Sequence, residues 1–237
     1  MITISFVFMN LYKKKILVIV AHTDDESIGC GGLIKKLSLK KNKVAAISFT
    51  NGISARAKSR TKEINNRRIA SIKASKILGF NWLEQYDYPD NQLDTVSLLE
   101  IVKVIEKHKK QFKPHIILTH NFSDLNIDHR KIAEASLTAF RPEPNEKLEQ
   151  FLTFEVPSAT DFRNLKNKNN FLPNYFVNID NFLNDKIKAI RCYKKEIKPY
   201  PHSRSVIGIK NLNKIRGNQS GLKYAEAFEI IRKIDRN

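Results

Sequence analysis

The sequence predicts an α/β domain built on a mostly parallel sheet, and three observations carry that expectation. Residues 16–21 (ILVIVA) form an unbroken, mainly β-branched apolar run, as expected of a strand buried on both faces. The run stops abruptly at a polar, glycine-bearing segment, HTDDESIGCGG. Beyond it the chain alternates strand, loop and helix patterns, the signature of βαβ units.

Each element has its own warrant. Residues 32–40 (GLIKKLSLK) carry Leu33, Ile34 and Leu37 at helical spacing. Residues 43–49 (KVAAISF) read as a second strand, and Asn51-Gly52 marks a turn. Residues 61–78 alternate Ile and Ala with basic residues at a helical period, and Gly79 is a natural stop. Residues 96–110 read as a helix. Residues 115–119 (HIILT) read as a strand, followed by the polar HNFSDLNID and a helix from about 129 to 139. After Arg141-Pro142 the pattern loosens. Residues 151–156 (FLTFEV) suit a further strand, the Asn- and Lys-rich 163–174 an exposed loop, and 180–196 and 221–234 two helices. With no low-complexity linker and no internal repeat, residues 1–237 read as one domain.

Composition narrows the function classes. Hydrophobic residues make up 41%, enough for a core and too many for a disordered chain. Lys and Arg number 42 against 24 Asp and Glu, a formal charge of +18, which raises nucleic acid, anionic membranes and phosphorylated small molecules as partners. Lysine and asparagine are spread along the whole chain, however, and no nucleic-acid motif accompanies them, so no nucleic-acid partner is expected. Two cysteines, Cys30 and Cys192, are too few for a disulfide framework and suit a reducing compartment. Residues 2–8 (ITISFVF) are apolar, but Lys13 to Lys15 follow them, whereas a signal peptide has its charges first. They are also too few to span a membrane, and no other run reaches about 18 residues. The expectation is a cytoplasmic protein without a transmembrane segment, in which residues 1–8 are either an upstream extension before a start at Met9 or an extra edge segment.

Ligands of open parallel sheets sit at the carboxyl ends of the strands. Two such ends carry dense polar clusters: His22, Asp24, Asp25 and Glu26 after the first strand, and His120, Asp124, Asn126, Asp128 and His129 after the later one. An imidazole and a carboxylate three residues apart can face one point, and an imidazole from a second strand end completes a three-ligand set. Three protein ligands and an open position are what a catalytic zinc requires. Its bound water has a pKa near 7, and an adjacent unbound carboxylate can take the proton. The same residues also read as caps, with Asp24 and Asp25 before one helix and Asp128 at the start of another. Two clusters after two buried strands favour the metal site. Gly29, Gly31 and Gly32 do not form a dinucleotide fingerprint and read as close strand–helix packing.

These residues resemble a known family. AHTDDE followed by GCGG resembles the AHPDDE motif of the PIG-L/LmbE deacetylases, with Thr23 where the family usually has Pro, and NIDHR resembles the second motif, which ends in Asp-His. The order continues through RRIASIKASKILG (67–79), YPDNQLD (88–94), EVPS (155–158), HSRS (202–205) and RGNQSGLKYAEAF (216–228). The resemblance implies a Rossmann-like three-layer fold and hydrolysis of N-acetyl groups on amino sugars or sugar conjugates, in glycan or glycoconjugate biosynthesis. It implies His22, Asp25 and His129 as zinc ligands, although such ligands accept Fe2+ as well, and Asp24 as general base. Arg67, Asp90 and Arg204 are the implied substrate contacts, with Arg68 a register alternative to Arg67. Asn126 stands where many members have a His that helps the oxyanion; an amide can donate there but carries no charge. Ala70 stands where Glu is common, which leaves that helix without an acid partner. The implied substrate is a small acylated amino sugar, nucleotide- or lipid-linked or free, and the +18 charge would suit a phosphorylated one. A homo-oligomer is also implied, with 202–205 a candidate contact. Two other readings compete: an amidase acting on a non-sugar or thiol-conjugate amide, and a non-catalytic basic binding protein.

Overall fold

The computed structural model describes residues 13–55, 61–163 and 170–236. The expectations for residues 1–8 and Met9, and for the middle of the 163–174 loop, fall outside them. The first half of the chain runs β1 (Lys15–His22), α1 (Asp25–Ser38), β2 (Lys43–Thr50), α2 (Thr61–Leu78), β3 (Asn81–Tyr88), a 3-10 turn at Leu93–Thr95, α3 (Leu98–Phe112), β4 (Ile116–His120) and α4 (Ile127–Ala139). The second half runs β5 (Gln150–Phe154), β6 (Tyr175–Asn178), α5 (Leu183–Cys192), α6 (Val206–Asn218) and β7 (Ala225–Lys233). The strands form one sheet in the order β3-β2-β1-β4-β5-β7-β6. The first five are mutually parallel, and β7 runs antiparallel to both its neighbours.

Strand β1 shows why both faces are covered. Ile16, Val18 and Val20 point into one apolar cluster, with residues of α1, α2 and α5; Leu17, Ile19 and Ala21 point into the other, with residues of α3 and α4. A strand apolar at every position can only be the centre of a three-layer sandwich. The order also reverses at β1, since β2 follows it on one side and β4 lies on the other. That switch point opens a crevice at the carboxyl ends of β1 and β4, where His22 and His120 stand.

Helix α1 begins seven residues earlier than its periodicity suggests and breaks at Cys30 (φ −138°, ψ 21°). The glycines around the break serve close approach: a Cβ on Gly29 would lie 2.2 Å from the Phe154 ring. The second half of α1 has its free N–H groups capped from far away, by the Glu226 carboxylate, which accepts from Gly32 N–H (2.8 Å) and Leu33 N–H (2.7 Å). Lys186 of α5, itself buried, neutralises that carboxylate at 2.7 Å.

The helix expected over 221–234 is the strand β7. Its charged residues Glu226, Glu229 and Arg232 lie three apart and mimic a helical face, but a place between β5 and β6 imposes the alternation of a strand. Three elements carried too little periodicity to be read: the edge strand β3, exposed on much of both faces, the short β6, and α6.

Candidate metal centre and catalytic base

The tight link from β1 to α1 places His22 and Asp25 on one side, and the first turn of α4 brings His129 to meet them. His22 Nδ1 lies 3.1 Å from Asp25 Oδ2, and His129 Nε2 lies 3.3 Å from each of those two atoms. All three residues are buried. A tetrahedral zinc with ligands at about 2.0–2.1 Å has ligand–ligand edges of about 3.3–3.4 Å, so the three donors already stand at metal-site spacing.

The outer ring nitrogens decide which atoms face inward. A carboxylate only accepts, so a ring nitrogen facing one carries the proton. His129 Nδ1 faces Asp124 Oδ2 at 2.9 Å, and His22 Nε2 faces Asp128 Oδ2 and Asp90 Oδ1, each at 3.2 Å. The inward nitrogens, His22 Nδ1 and His129 Nε2, converge on Asp25 Oδ2, and each turns a lone pair inward when the ring's single proton sits on its outer nitrogen. In that tautomer three acceptors face one another, an arrangement that a cation, either a metal ion or a proton, satisfies. Asp25 Oδ1, buried without a hydrogen-bond partner among the described residues, adds a fourth acceptor. The donor set fits zinc or ferrous iron, and carboxylates behind metal-binding imidazoles are the usual outer support. The same surroundings act on protons: burial lowers the pKa of His22, but its contacts to Asp128, Asp25 and Asp90 outweigh that and raise it well above the ordinary value.

His120 is the wall of the site. Its Nε2 accepts the Ala21 N–H (2.9 Å), its ring stacks on His129 at 3.8 Å, and burial holds it neutral.

Asp24 points to the other side of the link. Its backbone is at φ 134°, ψ −30°, a region that costs a non-glycine residue about 1–3 kcal/mol. Its N–H is taken by Glu26 Oε2 (2.9 Å), and its carboxylate meets Arg67 Nη2 at 2.9 Å and Arg204 Nη1 at 3.5 Å. Burial raises its pKa to about 6 against the lowering effect of Arg67, within reach of a proton-transfer role near neutral pH.

The profile of the family described as PIG-L, GlcNAc-PI de-N-acetylase, matches residues 17–140. The chain belongs to the PIG-L family. The diacetylchitobiose deacetylase of Thermococcus kodakarensis is 27% identical over 231 residues, covering 92% of this chain and 83% of that one. The Escherichia coli protein named "Uncharacterized deacetylase YaiS" is 28% identical over 188 residues, 77% of this chain and 91% of that one. Among solved structures, N,N'-diacetylchitobiose deacetylase from Pyrococcus horikoshii superposes with a TM-score of 0.72 at 24% identity, covering 92% of this chain and 84% of that one. This PIG-L chain thus carries a deacetylase family's fold and motifs. No helix among the described residues is long and apolar enough to cross a membrane.

The remaining residues singled out in the sequence fall into two groups. Arg204 reaches Asp24, with its Nε donating to Pro157 O (3.1 Å), and keeps part of its side chain exposed. The others are occupied within the protein. Asp90 is buried and accepts from Ala55 N–H (3.2 Å) and Thr50 Oγ1 (3.4 Å) besides facing His22. Asn126 caps α4: its Oδ1 accepts from Asp128 N–H (2.8 Å), and its amide donates to Asn91 Oδ1 (2.9 Å). Arg67 is buried, and the acid partner that Ala70 leaves missing is supplied by Glu196, at 2.7 Å from Arg67 Nη1. Arg68 pairs on the surface with Asp87. His202 accepts the Arg204 N–H at 3.0 Å through Nδ1. No spacing signal links Glu196 or Tyr193 to the site; Asp124 was visible only as a member of the acidic cluster, and Asp128 as a cluster member, a helix cap and part of the second motif.

Proposed function

We propose that the chain is a metal-dependent N-deacetylase of acylated amino sugars or their conjugates, acting in glycan or glycoconjugate biosynthesis. The observation that carries this is the pairing of three converging donors, 3.1–3.3 Å apart, with a separate buried carboxylate beside them. His22, Asp25 and His129 would hold the ion, zinc by preference and ferrous iron by ligand chemistry alone. A bound ion would supply a water of lowered pKa and a Lewis acid for the acyl oxygen.

The chain's own groups then do the proton work. Asp24, as carboxylate, accepts a proton from the attacking water and returns it to the departing nitrogen, because an amine leaves poorly as an anion. Arg204 is the partly exposed cation at the mouth of the site and is placed to hold a polar group of the substrate or the developing negative charge. Asp124, Asp128 and Asp90 keep both imidazoles in one tautomer. The products are acetate and a free amino sugar. In this reading the enzyme works in the cytoplasm, where Cys30 and Cys192 stay free thiols.

The test is a panel of N-acetyl sugars, sugar conjugates and non-sugar amides scored for released primary amine, with and without a chelator. Chelator-sensitive amine release from sugars alone is expected. Release only from non-sugar amides would move the enzyme to the amidase reading, and none from any substrate would overturn the activity.

A further inference from the structure

The segment that follows β5 lies beside the one that follows β4, because the two strands are parallel neighbours. It folds into a tight turn. Ala159 N–H and Thr160 N–H both donate to Val156 O (3.0 and 2.9 Å), and Ser158 sits at φ +68°, a left-handed conformation uncommon outside glycine. The turn is tied down on both flanks: Ala159 O accepts Leu125 N–H (3.1 Å) from the segment after β4, and Pro157 O accepts Arg204 Nε–H (3.1 Å) from the mouth of the site. At its end stands Thr160, buried, with Oγ1 accepting Val156 N–H at 2.8 Å. A hydroxyl has one proton and a carboxylate only accepts, so that proton goes to Asp124 Oδ1, 2.5 Å away. The other carboxylate oxygen, Asp124 Oδ2, faces His129 Nδ1 at 2.9 Å.

We propose that Thr160 is a positioning residue for the metal centre: it sets the plane of the Asp124 carboxylate and, through it, the ring of His129. The proposal rests on the reading of His129 as a metal ligand. The torsion that turns an aspartate carboxylate is a broad one, so a carboxylate held at a single oxygen can swing and release its partner. Asp124 is held at both oxygens, by the hydroxyl on one and the imidazole on the other, and this leaves it one orientation. Thr160 is a stiff anchor for the purpose, because its side chain is β-branched and its backbone is fixed in the turn. Asp124 is 1% exposed, Thr160 2% and His129 0%, so bulk water does not make good a lost hydroxyl. Groups behind a metal-binding imidazole orient the ring and tune its affinity, and Thr160 extends that support by one residue, from Asp124 to the turn that also holds Arg204.

The experiment titrates the metal-free protein with Zn2+ in competition with a chromophoric chelator. Thr160→Val keeps the shape and removes the hydroxyl; it is expected to bind zinc about 10-fold more weakly, and Thr160→Ser to bind within about 2-fold of the parent. Thr160→Ala carries the same expectation as the valine variant and serves where that variant does not fold. Unchanged affinity without the hydroxyl would overturn the proposal, since a threonine that only stabilises its turn would lower the denaturation midpoint and leave zinc affinity alone. A folded Thr160→Ser with affinity reduced about 10-fold would assign the effect to the methyl group and overturn it as well. His129→Ala is measured alongside. Full zinc affinity there would remove the ligand reading and the proposal with it, whereas lost affinity there with a silent Thr160→Val would remove the proposal alone.

Discussion

The two sides of the four-residue link from His22 to Asp25 are built on opposite electrostatic logic. On the side of His22 and Asp25, the carboxylates Asp90, Asp124 and Asp128 surround two imidazoles. On the side of Thr23 and Asp24, two arginines meet two carboxylates, Asp24 and Glu196, and the protein's own groups balance the charge. The tight link thus separates the two tasks that the proposed function assigns to this site. In the proposed reading the first half would be completed by an ion, while the second is assembled by the protein alone.

The comparison breaks most visibly at Asp24. Asp24→Asn should leave zinc content unchanged and lower kcat about 10³-fold, as read by metal analysis and amine release on the same sample. Loss of the metal in that variant would mean that the two sides are not separable. Next in size is a test of the support behind both sides. Lys186→Met leaves the buried Glu226 without its cation and should cost about 3–5 kcal/mol, measured by chemical denaturation. Asp128→Asn frees the outer nitrogen of His22 and should weaken zinc binding about 10- to 100-fold in competition with a chromophoric chelator. An unchanged affinity would show that Asp90 alone fixes the ring. The smallest effect is expected at the mouth, where Arg204→Ala should reduce kcat/KM about 10-fold and leave zinc affinity as it was.

Much of this was legible in the chain because it is local. The apolar run of β1, the HTDDE segment after it and the NIDHR segment before α4 place the metal donors through neighbouring backbone and a strand order that parallel sheets favour. What escaped is held by distant contacts. Glu196 meets Arg67 with no periodic relation between them, so Ala70 looked like a missing partner when the partner had come from beyond α5. β7 was mistaken for a helix because its charges repeat every three residues, and only its neighbours in the sheet show which face is buried. Asn126 matched a motif position, yet its side chain is spent on capping α4, a use that the motif alone does not distinguish from catalysis.

The cap on the broken α1 ties the active site to the order of synthesis. Glu226 leaves the ribosome 194 residues after Gly32, whose N–H it accepts. Until then the second half of the helix that carries Asp25 has exposed N–H groups and no fixed place against β7. A nascent chain therefore emerges with His22, Asp25 and His129 all made, yet without the support behind the helix that carries Asp25. Metal loading should follow closure of this long-range contact, and contacts of such separation form slowly.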